Sequence, residues 1–384
     1  MKDRIYLDNA ATTPLDPEVF EAMIPVMREF YGNPSSSHAH GRKVKAMMEE
    51  ARSSIAKLLK CSPSEIFFTS GGTEADNLAL RSCVKSLGVK HIITSPIEHH
   101  AVLHTAEELH HKGLAQMHLV NLDETGHVDL NHLQQLLSEC GPNTLVSLMH
   151  ANNEIGNLLD LEQVGQMAHA AGALFHCDTV QTMGHYPFDL SLGHVDFLAA
   201  AAHKFNGPKG VGFIYINKKR RLHPEITGGA QEREIRGGTE NVYGIIGLAK
   251  ALEICYRDME KKHTHISELR NYMKDLLNAS IPGVEFNGDA DGKCLYTVLS
   301  VSFPASETGN MLLFNLDING ISASSGSACS SGSNVGSHVI QALKRPADRT
   351  TIRFSFGKFN TREDVEACVE KLKQWYPAEV PANS

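Results

Sequence analysis

No apolar run in this 384-residue chain is long enough to cross a bilayer, which argues against a helical membrane span. Basic charge is also short. Thirty-six Lys and Arg face 44 Asp and Glu, for a net charge of −8. The one basic run, Lys218-Lys219-Arg220-Arg221, reads as a solvated turn. Affinity for a phosphate backbone rests on clustered Lys and Arg, so neither DNA nor RNA is an expected partner. The eight cysteines (Cys61, Cys83, Cys140, Cys177, Cys255, Cys294, Cys329 and Cys368) form no CxxC pair and no dense spacing. That argues against a disulfide frame and for free thiols in a reducing compartment. The opening MKDRIYLDNAATT reaches a strand-like Ile-Tyr-Leu at once, leaving no room for a charged leader and an apolar region. The expected location is the cytoplasm. No internal repeat is present, and the length suggests about two or three domains.

What is present is a regular alternation. Short apolar runs at 66–69, 91–95, 116–120, 144–149, 174–177, 197–199 and 212–216 read as strands. Amphipathic stretches at 44–59, 74–87, 101–111 and 161–171 lie between them. Strands spaced by helices predict an α/β fold, a largely parallel sheet with helices on both faces. A long helical connector follows, from 242 to about 277. Beyond it a strand at 297–303, a helix near 310–316, a strand at 351–355 and a last helix at 361–375 predict a smaller α+β unit. Ligand sites in open α/β sheets lie beyond the carboxyl ends of strands, often against a second lobe. Chemistry is therefore expected just after strands.

The motifs stand there. FTSGGTEADNLAL (68–80) ends a strand at Thr69, then sets two glycines and Thr73-Glu74 at a helix start. Backbone N–H groups of a helix N-terminus with a hydroxyl cradle a phosphate, although the same residues suit a tight turn capped by Thr73. No Lys-Ser or Lys-Thr follows at Walker spacing. Lys204 follows an apolar strand, where a lysine is a candidate for a lowered pKa and Schiff-base chemistry; in isolation it would read as a surface lysine. Asp178 ends the preceding strand, where an acid can pair with a pyridinium nitrogen. Phosphate loop, strand-end acid and strand-end lysine, in that order, point to pyridoxal 5′-phosphate. GPKGVG (207–212) has the wrong glycine spacing for a dinucleotide site and precedes a strand.

Further groups fill out the pattern. His99 follows the 91–95 strand and can stack on a planar cofactor and move protons near neutral pH. His100 and His104 share a helix face, a metal site without a third ligand or simply solvated rings. Asn152-Asn153-Glu154 follows the 144–149 strand. Arg353, alone in an apolar strand, suits a bidentate clamp on a substrate carboxylate and equally an internal ion pair. In SASSGSACSSGS (322–333) eleven of twelve residues are Ser, Gly or Ala, and the other is Cys329. Low helix and strand propensity predicts a mobile loop that carries a thiol.

In combination, LDNAATTP (7–14), NPSSSH (33–38), SGGTEADN (70–77), EHHAV (98–102), NNEIG (152–156), DTVQ (178–181), HKFNGPKGVG (203–212), RGGTEN (236–241), SSGSACSSGS (324–333) and IRFSFGKF (352–359) resemble the cysteine desulfurases of the NifS/IscS type. The resemblance runs in order over nearly the whole chain. It implies a fold-type I pyridoxal-phosphate transferase. A large cofactor-binding domain (15–255) would hold a mainly parallel seven-stranded sheet. A small domain (1–14 and 256–384) would carry the cysteine loop (about 322–335). By resemblance, Lys204 would hold the cofactor covalently, and His99 would stack on its ring and assist proton transfer. Asp178 would pair with the ring nitrogen and Gln181 with the phenolic oxygen. Gly72, Thr73 and His203 would hold the phosphate, joined by Thr239 from the other subunit of a homodimer. Asn153, also at the cofactor, and Arg353 would hold the substrate carboxylate. No metal is implied.

Cys329 would be the nucleophile: L-cysteine becomes L-alanine, Cys329 takes the sulfur as a persulfide, and a sulfur-acceptor protein receives it, for iron–sulfur cluster assembly or another route. A partly exposed thiol on Ser- and Gly-rich chain suits both tasks. One departure stands out. The family usually has Ser two positions before the His-Lys pair, and here that position is Ala201. One phosphate hydrogen bond is expected to be missing. SSGSAC fits the NifS/IscS subgroup better than the shorter RxGHHC-like segment of the other subgroup. Selenocysteine lyase, an aminotransferase of the same fold and a non-catalytic sulfur-trafficking scaffold are the alternatives.

Overall fold

A computed structural model describes residues 4–306, 309–325, 337–346 and 348–376. The centre is a seven-stranded sheet of β2 (Ile66–Thr69), β3 (His91–Thr94), β4 (Gln116–Leu119), β5 (Thr144–Ser147), β6 (Leu174–Asp178), β7 (Phe197–Ala201) and β8 (Gly212–Ile216), in the order β2-β8-β7-β6-β5-β3-β4. All neighbours run parallel except β8, which is antiparallel to both β2 and β7.

Helices cover both faces, so the inner strands are buried on both sides and read as largely apolar runs, whereas the edge strand β4 is partly exposed. One face packs on α1 (Pro17–Glu29), α2 (Ala39–Leu58), α5 (Leu130–Cys140), α6 (Leu161–Ala170) and α7 (Val242–Arg257). The other packs on α3 (Gly72–Ser86) and α4 (His100–His111). The period of two sorts the side chains: Phe68, Leu198, Phe213 and Tyr215 enter the first layer, and Phe67, Phe197, Ile214 and Ile216 the second.

A further apolar cluster is built from Leu7 together with residues between Ile266 and Tyr376. It lies between α8 (Met259–Ser280), α11 (Arg362–Trp375) and the antiparallel strands β9 (Glu285–Phe286), β10 (Val298–Phe303) and β12 (Thr350–Ser355). α9 (Leu312–Ile318) adds Leu312 and Leu316. β1 (Ile5–Tyr6) pairs in parallel with β11 (Ile321–Ser322), and α10 is the short helix His338–Ala342.

The expected strands 66–69 and 212–216 occupy those same residues. β7 runs two residues past its expected end, because Ala200 and Ala201 still pair with Phe213 and Gly212. The single connector is two helices, broken at Asp258, whose φ/ψ of −107°/15° leaves the helical region. α1 and α5 were not anticipated, although Asp16 and Asp129 cap them by accepting backbone N–H bonds. No described helix is long and apolar enough to cross a membrane.

Candidate active site

The carboxyl ends of the central strands converge on one cavity of about 260 Å³. β6 delivers Asp178, with Val180 and Gln181 just beyond it. β7 runs into a single 3-10 turn, Ala202–Lys204, that presents His203 and Lys204. The turn from β2 into α3 brings Gly72, Thr73 and Asp76; the segment before α4 brings His99, that after β5 Asn153, and β12 Arg353. The N-terminal segment closes the wall with Ala10 and Ala11. A larger cavity of about 460 Å³ shares Met149 with this one, but the strand-end groups do not converge there.

Backbone lacing holds the lysine turn. Thr13 N–H donates to the His203 carbonyl at 2.9 Å, and Thr13 Oγ1 accepts from Asn206 N–H at 2.8 Å. Asn206 sits at φ 64°, the left-handed region that Asn tolerates better than most residues. Lys204 Nζ donates to the carbonyls of Ala10 (2.7 Å) and Ala11 (2.9 Å), and Gln181 Nε2 to Ala10 at 3.1 Å.

Asp178 is 5% exposed, and its Oδ1 accepts Val180 N–H at 2.8 Å. Burial raises its pKa, opposed by that hydrogen bond and by Lys204. Asp76, 1% exposed, is pushed up by burial, by Asp178 and by Glu98. Its Oδ1 has no hydrogen-bond partner among the described residues and stands 3.4 Å from His176 Nε2. Asp178 accepts a 2.8 Å hydrogen bond and has Lys204 beside it, whereas Asp76 has only the 3.4 Å approach of His176, so within this pair the proton belongs on Asp76 and the charge on Asp178. Burial likewise pushes Glu98 up to about 8, even though its Oε1 accepts from Ser95 Oγ and Met149 N–H.

His99 is the N-cap of α4. Its Nδ1 accepts Ala101 N–H at 3.1 Å, which assigns the ring proton to Nε2. Burial, then Lys204, His338 and His104, push its pKa down to about 4, so the ring is a neutral imidazole at pH 7. His203, its Nδ1 3.2 Å from Thr12 Oγ1, is also pushed down to about 4, chiefly by burial and then by Lys204 and Lys209. Arg353 is 1% exposed. Nη1 donates to the Asn153 carbonyl and Nη2 to Asp8 Oδ1, both at 2.8 Å, while Nε has no partner among the described residues. The ion-pair reading of this arginine holds, and the cavity-facing one stands beside it.

One expected residue, Thr239, is not in this cavity wall, and one falls where nothing is described. Cys329 lies outside the described residues. The chain on either side of it is described: Ser324 and Arg353 exchange backbone hydrogen bonds, N–H of each to the carbonyl of the other. On the far side Ser337 Oγ bonds the Glu154 carboxylate and His338 Nε2 donates to the Glu98 carbonyl at 2.9 Å. Thr239 is exposed and does not line the cavity. Its segment is tied to the first turn of α3 by Arg236, whose Nε and Nη2 donate to Glu74 at 2.9 and 3.2 Å. His100 and His104 form no described metal cluster; their ring nitrogens sit 2.9 Å apart. Asp76, Asp8, Glu98 and His176 went unread in the sequence. The signal for Asp76 was its position four residues after Gly72, on the same face of α3.

Residues 5–368 match the family described as aminotransferase class-V. The chain belongs to the aminotransferase class-V family. This class-V chain is 43% identical over 388 residues to cysteine desulfurase IscS of Dictyoglomus turgidum, covering 98% of this chain and 97% of that one. Among solved structures it is similar to a NifS-like protein, with TM-score 0.88, 39% identity and coverage of 97% and 98% of the two chains. It is also similar to SspA in complex with cysteine, with TM-score 0.79, 30% identity and coverage of 93% and 99%.

The architecture is that of fold-type I, and the cofactor of such a class-V chain is pyridoxal 5′-phosphate. The cavity fits it. Asp178 is a buried carboxylate to which a protonated ring nitrogen would bring a matching donor. Gly71, the N-cap of α3, makes no side-chain cap bond, so the first-turn N–H groups of Gly72 and Thr73 suit a phosphate. A Cβ at Gly72 would stand 2.4 Å from Val180 Cγ2, so only glycine lets the helix start come this close to the end of β6. At Ala201 a methyl faces the cavity where a hydroxyl would donate.

Proposed function

We propose that this class-V chain is a cysteine desulfurase that uses Cys329 as the sulfur acceptor. The reaction is L-cysteine plus the Cys329 thiol giving L-alanine plus a Cys329 persulfide: the substrate C–S bond breaks and an S–S bond forms. Bound pyridoxal phosphate supplies the electron sink for that cleavage. Lys204 would hold the cofactor and move protons at Nζ. Asp178 would keep the ring nitrogen protonated, and Gln181 would donate to the phenolic oxygen. Gly72, Thr73 and His203 would hold the phosphate, with Thr239 of the partner subunit of a homodimer. His99 would stack on the ring and donate a proton from its neutral Nε2–H. Asn153 and Arg353, whose Nε has no partner among the described residues, would receive the substrate carboxylate.

The observation that carries a desulfurase over another class-V chemistry is the anchoring of the chain around Cys329. It departs beside Arg353, through the Ser324 pairing, and returns beside Glu98 and Glu154, next to His99 and Asn153. Cys329 follows Ser325, the last described residue on that side, by four positions in the sequence. In this reading residues 15–255 form the cofactor-binding domain, and 1–14 with 256–384 the domain that carries the thiol. The protein works in the cytoplasm and passes its sulfur to an acceptor protein such as an iron–sulfur scaffold.

The test is alanine and sulfide formation from L-cysteine with a reductant, for wild type and Cys329→Ala. Equal amounts of both products from wild type and neither from the variant are expected. An unimpaired variant, or a wild type that makes neither product, overturns the assignment.

A further inference from the structure

At the β4 edge of the sheet, away from the cavity beyond β6 and β7, three side chains from three elements meet. His91 opens β3, His118 lies in β4 and Cys140 ends α5. The parallel register pairs Ile93 with His118, so His91 and His118 project on the same face of the sheet. His91 Nδ1 and His118 Nε2 stand 3.1 Å apart, and one ring nitrogen of each histidine and the Cys140 sulfur all lie within 4.8 Å of one another. All three residues are half-buried.

We propose that His91, His118 and Cys140 form a binding site for a borderline-soft transition-metal ion, with Zn²⁺ as the reference ion and water in the fourth position. The donor set carries the identity. Imidazole nitrogen and thiolate sulfur are ligands of Zn²⁺ and its neighbours, whereas Ca²⁺ and Mg²⁺ take oxygen. Geometry agrees. Two nitrogens each about 2.0–2.1 Å from a tetrahedral centre lie about 3.3–3.4 Å apart, so the imidazoles already stand close to ligand spacing.

Without metal the two imidazoles are joined by one N–H···N hydrogen bond.

The experiment uses the untagged, cofactor-loaded Cys329→Ala protein, which removes the proposed reactive thiol. Titration with Co²⁺ alone is expected to give a thiolate-to-cobalt charge-transfer band that saturates at one equivalent and is displaced by Zn²⁺. The band is expected to disappear when Cys140→Ser or His118→Gln is added to that background. Desulfurase turnover of otherwise wild-type enzyme in chelator is expected to be unchanged by Cys140→Ser. Thermal unfolding without metal separates a lost site from a lost fold. A parent protein with no band, or well-folded variants that keep the full band, would mean a histidine–histidine hydrogen bond and nothing more, and would overturn the proposal.

Discussion

Arg353 carries five N–H donors on a planar fork, and two of its nitrogens are already engaged by Asn153 and Asp8. Nε has no partner among the described residues and each Nη keeps a second N–H, and an ammonium group cannot reproduce this planar set of donors. Arg353→Lys is therefore expected to raise KM for L-cysteine by about tenfold or more, with cofactor affinity unchanged; a charged hydrogen bond contributes roughly 1.5–3 kcal/mol. A KM within twofold of wild type would remove Arg353 from substrate binding. Ala201 is the opposite case, a missing donor. Restoring it with Ala201→Ser is expected to tighten pyridoxal phosphate by about 2–12-fold, the equivalent of roughly 0.5–1.5 kcal/mol. Equilibrium dialysis of the cofactor checks this, and equal retention in the two proteins would refute it.

Elements position these side chains through two tight fits. The first is the approach of α3 to the end of β6 at Gly72, where an added methyl meets Val180. Gly72→Ala is expected to cost about 1–3 kcal/mol in overpacking and to weaken cofactor binding at the same time. Urea unfolding and cofactor titration measure the two effects separately, and a neutral result in both would show that the helix start can shift freely. The second is the 3-10 turn Gln231–Glu234, where Glu232, Arg233 and Glu234 all have positive φ. Glu232 is buried there, accepts from Arg52 at 2.8 and 2.9 Å, and takes Phe68 N–H at 2.7 Å. That triple contact fastens the segment leading to Thr239 onto α2 and β2. Glu232→Gln leaves the buried Arg52 guanidinium with only the partly exposed Glu49, 3.2 Å from its Nε, as counter-charge and is expected to cost about 3–5 kcal/mol in urea unfolding. A loss under 1 kcal/mol would mean that the turn is held by other contacts.

Across the whole molecule, buried titrating groups pull stability in opposite directions. His99, His150 and His203 are pushed down to about 4 and His176 to about 3, burial being the first cause for each. Their folded values lie below the unfolded one, so the stability they contribute is present above about 6.5 and is lost as pH falls towards 4. Glu98 acts the other way: its folded value of about 8 lies above the unfolded one, so its contribution is lost as pH rises through the interval up to 8. Wild type is expected to lose about 1–2 kcal/mol relative to Glu98→Gln between pH 6.5 and 8, read from urea midpoints at each pH. Parallel curves for the two proteins would show that Glu98 is ionised throughout. The same burial explains what could not be read beforehand. Lys204, Asp178, Gly72 and His99 were legible because each follows a run of strand-like residues. Asp76 and His176 sit in ordinary helix and strand patterns and Glu98 in the link between β3 and α4, and only their burial and packing set them apart.

Local order along the chain determined the alternation of strands and helices, the positions of the strand-end groups and the family to which they point, because apolar period and chain order are properties of nearby residues. The antiparallel course of β8 and the two extra paired residues of β7 depend on which strand lies beside which. So do the bond between Arg353 and Asp8, the sharing of charge between Asp76 and Asp178, and the meeting of His91, His118 and Cys140. Those partners are tens to hundreds of residues apart, and burial and Coulomb energy act on distance in space, which only the packed fold assigns.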